Sequence, residues 1–297
     1  MPRVSICIPT YNRAELVSGA IDSALAQSEQ DIEVVLLDDA STDATPEIAA
    51  GYRDPRFRTE RTERRRGISW GLNRCLELAK GTYVNVLCDD DRLYTGAVSQ
   101  FADGLDRFPE ATFATSAWNS VDADGSFLHT TRLLNHASAD GTLVGLRQIV
   151  RSSWLCRNRI GPQSAVLIRK KSLAGLRFRS EYPQICDWEL LLRLLMRGPL
   201  VYFPQVLSAY RLHDKSLTAA QRPMAQSASD LLTMSAELAG SLSELRGAVS
   251  RFDLKRLQLL CFLKASETAL RNAVGGDPKM ISQNLRVAKR ALLLLVR

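Results

Sequence analysis

Val4-Ser5-Ile6-Cys7-Ile8-Pro9-Thr10-Tyr11-Asn12-Arg13 decides how the rest of the chain is read. Val4 to Ile8 is a short apolar, β-branched run that stops at a polar turn, and an amphipathic helix through Ile21 and Leu25 follows. The unit then recurs. Ile32 to Leu37 is a second run, followed by Asp38-Asp39-Ala40-Ser41-Thr42-Asp43, with Pro46 suited to the first turn of the next helix. Tyr83 to Leu87 is a third run, followed by Asp89-Asp90-Asp91. Strand alternating with helix predicts an α/β fold with a mostly parallel central sheet, helices on both faces, and ligands at the carboxyl ends of the strands.

Composition bounds the reading. A chain of 297 residues, 45% apolar and 24% charged, has material for one large core or two fused ones. No apolar run reaches the roughly 20 residues that span a bilayer, and Met1 to Pro9 lacks the apolar segment of a secretory signal, so a cytoplasmic protein is expected. Cys7, Cys75, Cys88, Cys156, Cys186 and Cys261 are scattered without a Cys-x-x-Cys pair, which points to reduced, mostly buried thiols. Residues 1–216 carry 27 Lys/Arg against 26 Asp/Glu, and residues 217–297 carry 12 against 6. The main body has no basic excess, so a nucleic-acid partner is not expected there.

Acidic residues recur at the predicted strand ends. One Asp at such a place often only caps the following helix. Three consecutive carboxylates, Asp89 to Asp91, repel one another and cost stability unless a cation offsets the charge. Mg²⁺ or Mn²⁺, held by one or two carboxylates and completed by water and substrate phosphates, is the usual arrangement at nucleotide sites.

Taken in order, Val4 to Arg13, Leu37 to Asp43 and Asp89 to Asp91 resemble the inverting family 2 glycosyltransferases, whose fold is called GT-A. Arg66-Gly67-Ile68-Ser69-Trp70-Gly71-Leu72-Asn73 is similar to the family's glycine-containing stretch, with Arg66 where Asn is commonest. The resemblance runs from residue 3 to about 216. It implies a donor half, 1–92, and an acceptor and catalytic half, 93–216; residues 217–297, rich in helix formers, read as a separate C-terminal helical region.

The family pattern implies roles at matching positions. Pro9, Thr10, Tyr11 and Asp39 would surround the nucleoside, with Arg13, Asp38, Arg66 and Asn73 counted among the donor contacts and Asp39 as the partner of the base. The acidic cluster corresponds to the family's Asp-x-Asp motif in either of two frames. Placing Leu87 on the usual leucine puts Cys88 first and makes Asp90 the metal ligand, with Asp89 toward the ribose or sugar; reading Asp89 to Asp91 as the motif makes Asp91 the ligand. Cys186-Asp187-Trp188-Glu189-Leu190 resembles the family's Glu-Asp-x-x-Leu signature with Cys186 in place of Glu, so Asp187 matches the general base. Its alternative is a helix cap, with Glu189 the next candidate base. Arg211 and His213 match a Tyr-Arg-x-His ending that lies near the donor diphosphate or the metal. Arg64, Arg65 and Arg66 could meet the same diphosphate or form a solvated turn.

The resemblance thus implies transfer from a nucleotide diphosphate sugar, a UDP-sugar above all, to a saccharide or glycolipid hydroxyl, with Mn²⁺ or Mg²⁺ as cofactor. Pro162 to Arg169 reads as a loop feeding a strand, and Tyr202 to Pro204 and Val206 to Leu212 as two strands. Segments 218–247, 251–273 and 278–296 read as helices broken at Gly275-Gly276-Asp277-Pro278. Ile281, Leu285, Ala288 and Leu292 form a stripe flanked by Arg286, Lys289 and Arg290 that could lie on an anionic inner membrane surface, pack on the body or join two copies. Paired acids after a strand also occur in phosphoacceptor modules, but the long second half is surplus to that fold. A metal-dependent nucleotidyltransferase and a non-catalytic nucleotide-sugar binder share the acidic edge and stay open.

Overall fold

The computed structural model describes residues 1–151, 160–182 and 185–214, together with Lys255, Leu259, Ser282 and Lys289. The helices expected over 217–297 and their basic stripe therefore lie outside the described residues, isolated positions aside. Among the described residues no helix is long and apolar enough to cross a membrane.

The first two apolar runs form β1 (Val4–Thr10) and β2 (Ile32–Asp38), each followed by its helix, α1 (Val17–Leu25) and α2 (Thr45–Ala50), the latter with Pro46 in its first turn. Next come β3 (Phe57–Arg61), α3 (Ile68–Leu78), β4 (Tyr83–Val86), β5 (Arg92–Leu93) and α4 (Ala97–Arg107). The second half runs β6 (Phe113–Val121), β7 (Phe127–Thr131), β8 (Thr142–Val144), α5 (Leu146–Arg151), β9 (Val166–Arg169), α6 (Cys186–Leu195) and β10 (Leu200–Arg211).

One sheet runs through both halves in the order β3-β2-β1-β4-β9-β6-β10-β5, with β7 added on β6 and β8 on β10. β3, β2, β1 and β4 are mutually parallel, as strands joined by helical crossovers must be. Beyond β4 the sheet becomes mixed. β9 is antiparallel to both β4 and β6, β10 is parallel to β6, and β5, β7 and β8 pair antiparallel. The cause is the connections, since the β6–β7 turn is too short for a crossover. These directions bring the carboxyl ends of β1, β2, β4, β6 and β10 to one edge.

The first strands are mostly apolar on both faces because each feeds two cores. Ile6, Ile8, Val34 and Leu36 point to the side of α1 and α4, whereas Cys7, Val35 and Leu37 point to the side of α3 and α6. On α4 the spacing of Val98, Phe101, Ala102 and Leu105 makes one buried face, and full burial of a Phe or Leu contributes roughly 1.5–3 kcal/mol. Gly104 lets that helix lie directly on β10, because a methyl group there would overlap the Phe203 ring. The two strands expected around Pro204 are one strand. Its register to β6 shifts between Phe203 and Val206 and again before Ser208, so Pro204, which has no N–H, falls where no ladder bond is required.

Candidate active site

The loops after β1 and β2 are joined into one rim. The Asn12 N–H donates to Ser41 Oγ at 2.9 Å, the Thr42 N–H to Asn12 Oδ1 at 2.8 Å, the Arg13 N–H to Thr45 Oγ1 at 3.0 Å and the Ala14 N–H to Asp43 Oδ2 at 3.0 Å. Two residues in this rim adopt left-handed backbone, Asn12 with φ 52° and Ala40 with φ 61°. Asn tolerates that conformation through local hydrogen bonds; for Ala it costs roughly 1–2 kcal/mol.

The paired acids after β2 diverge. Asp38 is 1% exposed; its Oδ1 accepts the Ser41 N–H at 2.9 Å and its Oδ2 faces Arg61 Nε at 3.3 Å. It braces the turn that carries Ser41. Asp39 receives the N–H groups of Arg66 (2.8 and 3.0 Å) and Gly67 (2.8 Å) and the Thr62 hydroxyl (3.1 Å). Gly67, at φ 89°, makes the bend that presents those amides at the start of α3. The Arg65 guanidinium lies 4.1 Å from the Tyr11 ring centroid and that of Arg66 5.0 Å from Trp70, so two members of the Arg64–Arg66 run rest on aromatic faces.

The three carboxylates after β4 are sorted by their partners. Asp89 lies 3.6 Å from Arg13 Nε, and burial followed by the neighbouring Asp90 charge pushes its carboxyl up to about 7, against the pull of Thr10, Arg13 and the Tyr11 amide. Asp90 Oδ2 is 3.0 Å from His213 Nε2. Asp91 is 1% exposed, with Oδ1 accepting the Arg211 N–H at 2.9 Å and Oδ2 the Ser164 hydroxyl at 2.5 Å. Burial, then Asp90, holds Asp91 well above the usual carboxylate range. Cys88, Asp90 and Asp91 each offer a ligand atom within 4.8 Å of the others. Both oxygens of Asp91 are already engaged within the protein, whereas Asp90 meets an imidazole. A carboxylate beside an imidazole is a donor set that suits a divalent cation.

Two residues expected at the donor are directed elsewhere. Arg211 Nε donates to the Asp90 carbonyl at 3.0 Å and Nη1 to the Asp122 and Ala123 carbonyls at 3.3 and 2.7 Å, so this guanidinium ties β10 to the β6–β7 turn. Asn73 is bonded to the backbone of Phe178, its Nδ2 donating to the carbonyl at 2.9 Å and its Oδ1 accepting the N–H at 2.8 Å.

Asp187 stands in the first turn of α6. Ile185 occupies the N-cap position without a side-chain cap bond, and the Asp187 carboxyl meets the first-turn amides of Asp187 and Trp188. It lines a cavity of about 10 Å³ with Val86, Gln163, Val166, Ile168, Phe178, Leu190 and Leu191. Burial raises its pKa, opposed by the Trp188 and Asp187 amides. Glu189 is fixed differently: 3% exposed, it is forked on Arg193 at 2.6 Å to both oxygens and lies 3.6 Å from Arg179, which occupies the alternative base in ion pairs. Two junctions went unread in the sequence. Ser164 donates to Asp91, takes the Cys88 N–H at 3.0 Å, and adjoins Gln163, whose Nε2 reaches the Val86 carbonyl at 3.4 Å. Phe178 closes the Asp187 cavity. No sequence signal marks either, because both act on residues far along the chain.

The glycosyl transferase family 2 profile matches residues 5–174, and the chain belongs to that family of transferases. It is 31% identical over 220 residues to MT1568 of Mycobacterium tuberculosis, covering 71% of this chain and 67% of that protein. It is 37% identical over 122 residues to the succinoglycan biosynthesis protein ExoO of Rhizobium meliloti, covering 41% and 33%. It is 26% identical over 227 residues to TuaG of Bacillus subtilis, a putative teichuronic acid biosynthesis glycosyltransferase, covering 73% and 82%. Several curated relatives are thus matched over less than two thirds of their own length. The fold is that of Staphylococcus aureus TarS 1–349 crystallised with UDP-GlcNAc, with a TM-score of 0.66 at 15% identity over 97% of this chain and 91% of that one. The mannosyltransferase PcManGT of Pyrobaculum calidifontis, crystallised with GDP-Man and Mn²⁺, follows with a TM-score of 0.59 at 17% identity over 99% and 87%.

Proposed function

We propose that this glycosyltransferase moves a sugar from a nucleotide diphosphate donor, a UDP-sugar, to a saccharide or glycolipid hydroxyl with inversion, in the synthesis of a polysaccharide or glycoconjugate. The observation that carries the reading is the Gln163-Ser164 turn. Ser164 bonds Asp91 in the acidic cluster, while Gln163 lines the cavity of Asp187, so a cation-ready rim and a half-buried carboxylate meet across one turn. TarS with UDP-GlcNAc, PcManGT with GDP-Man and Mn²⁺, and the names of ExoO and TuaG support the donor class, the metal and the polysaccharide setting.

Residues 1–92 hold the donor. Pro9, Thr10, Tyr11 and Asp39 frame the nucleoside, with Asp39 accepting from the N–H edge of the base as it accepts amide N–H groups here. Asp89, on Arg13, faces the ribose or sugar. Asp90 and His213 would hold the divalent cation, which supplies positive charge against the departing diphosphate. Residues 93–216 hold the acceptor. Single-displacement inversion needs a base on the face of the sugar away from the diphosphate, and Asp187 takes the proton of the attacking hydroxyl there. Its apolar cavity keeps the carboxylate poorly solvated and therefore more basic than an exposed Asp.

A thermal-shift panel of UDP, UDP-GlcNAc and GDP-Man with and without Mn²⁺ tests the donor site, because a ligand that binds only the folded state raises Tm. The expected result is a Mn²⁺-dependent rise with a nucleotide sugar and release of nucleoside diphosphate on incubation. Release of pyrophosphate would make the protein a nucleotidyltransferase instead, and binding without turnover over a wide acceptor panel would make it a binder.

A further inference from the structure

The segment Arg177-Phe178-Arg179 is tied to two helices that belong to different halves of the site. On the α3 side, Asn73 makes both backbone hydrogen bonds of Phe178, 105 residues away, in the manner of a neighbouring strand. The Arg177–Glu77 pair on the same helix spans 3.6 Å between exposed groups and adds little. On the α6 side, Arg193 donates to the Arg177 carbonyl at 2.5 Å while forked on Glu189, and Arg179 lies 3.6 Å from Glu189. Between these ties the Phe178 side chain, 4% exposed, is a wall of the cavity that Asp187 lines. α3 itself begins at the amides held by Asp39.

We infer that Asn73 is a positioning residue for the catalytic half: by fixing the Phe178 backbone it sets the wall that shields and orients Asp187. The inference rests on Asp187 being the base. An orphaned amide or carbonyl at Phe178 would otherwise have to find water, and that water would enter beside the Asp187 carboxyl. Asn73 thus acts on the proton-accepting side and not on the donor. Among the described residues no charged side chain besides Asp187 lines the cavity; Cys186 and Glu189 on α6 itself are its titratable neighbours in sequence.

The test compares Asn73→Ala, Phe178→Leu and Asp187→Asn with the full-length protein, using the nucleotide sugar chosen by the thermal-shift panel, Mn²⁺, and water as the simplest hydroxyl acceptor. Asn73→Ala is expected to keep UDP affinity and donor KM within about twofold, while kcat falls roughly 10–100-fold, the scale of a small misplacement of reacting groups. The acid limb of its rate profile should move to lower pH, because water now solvates the Asp187 carboxylate. Phe178→Leu, which leaves the backbone bonds of Asn73 intact and trims the wall, should show the same split and covers the case in which Asn73→Ala does not fold. Wild-type kcat and an unmoved acid limb in the folded Asn73 variant, or in Phe178→Leu should Asn73→Ala not fold, overturn the inference. So does a fall in donor affinity matched to the fall in rate, which would make Asn73 a donor contact. Asp187→Asn at the wild-type rate would instead overturn the base assignment; an inactive Asp187→Asn beside an unaffected Asn73→Ala removes the positioning role alone.

Discussion

The acidic rim after β4 and Asp187 at the start of α6 are both partly shielded from water, yet they are built in opposite ways. In the rim each acid has an identifiable partner: Arg13 for Asp89, His213 for Asp90, Ser164 and the Arg211 amide for Asp91. Among the described residues, Asp187 meets the amides of its own helix and a wall that is apolar but for Gln163. Burial and the charges of neighbouring acids together raise Asp89 and Asp91 in the rim, whereas burial alone, opposed by two helix amides, raises Asp187. The rim concentrates like charge; the start of α6 only desolvates a carboxylate.

The largest effect should break the apolar side of that contrast. Asp187→Asn nearly keeps the shape but cannot accept a proton, so turnover should fall by roughly 10²-fold or more while Mn²⁺-dependent UDP binding, read by calorimetry, is retained. The pH profile sharpens the point. A base must be deprotonated to act, and burial raises the pKa of Asp187, so the rate should decline as pH falls through a value above the usual Asp range. An acid limb at the ordinary carboxylate value would remove Asp187 from the role.

Next, Asp90→Asn should lose Mn²⁺-dependent affinity for UDP by at least the roughly 10–100-fold that even a residue supporting a metal ligand contributes, with the melting curve of the metal-free protein near wild type. Asp91→Asn should show the reverse. It sits inside the protein with both oxygens engaged, so its loss should lower stability by roughly 1–3 kcal/mol in urea titration, with a smaller effect on metal affinity. Equal loss of metal binding in both variants would erase the distinction between ligand and pin. The smallest expected effect lies on the rim itself, where Ala40→Gly relieves a left-handed backbone and should stabilise by about 0.5–1 kcal/mol after the extra chain entropy of Gly is counted.

The half of the fold that could be read in the sequence is the half whose strands are buried on both faces. Val4 to Ile8 and Ile32 to Leu37 are apolar but for Ser5 and Glu33 because Ile6 and Cys7, or Leu36 and Leu37, enter different cores. β3, Phe-Arg-Thr-Glu-Arg at the edge of the sheet, is polar and half-exposed, and nothing in its pattern marks it as a strand. The mixed second half was illegible in direction, because strand order there depends on loop lengths and long-range pairing. In the site, the acids could be found, but their duties could not. Asp38 and Asp39 are adjacent letters, and the alternation at the end of β2 sends one to Arg61 and the other to the Gly67 amide. Asn73 and Arg211 likewise have side chains suited to phosphate, and backbone groups brought close by folding claim them first.

The broken register of β10 separates the strand into two lengths with different neighbours. Leu200 to Tyr202 pairs with β8 and belongs to the core, whereas Ser208 and Ala209 pair with β5 and lead to Arg211 and His213. Because side chains alternate along a strand, a residue gained or lost in an unbroken strand would turn every later one to the opposite face. A strand that already changes step at Pro204 can absorb such a change there. In evolutionary terms the scaffold has a slip joint: the residues reaching the rim can be exchanged or re-aimed between descendants without disturbing the apolar half that makes the protein fold.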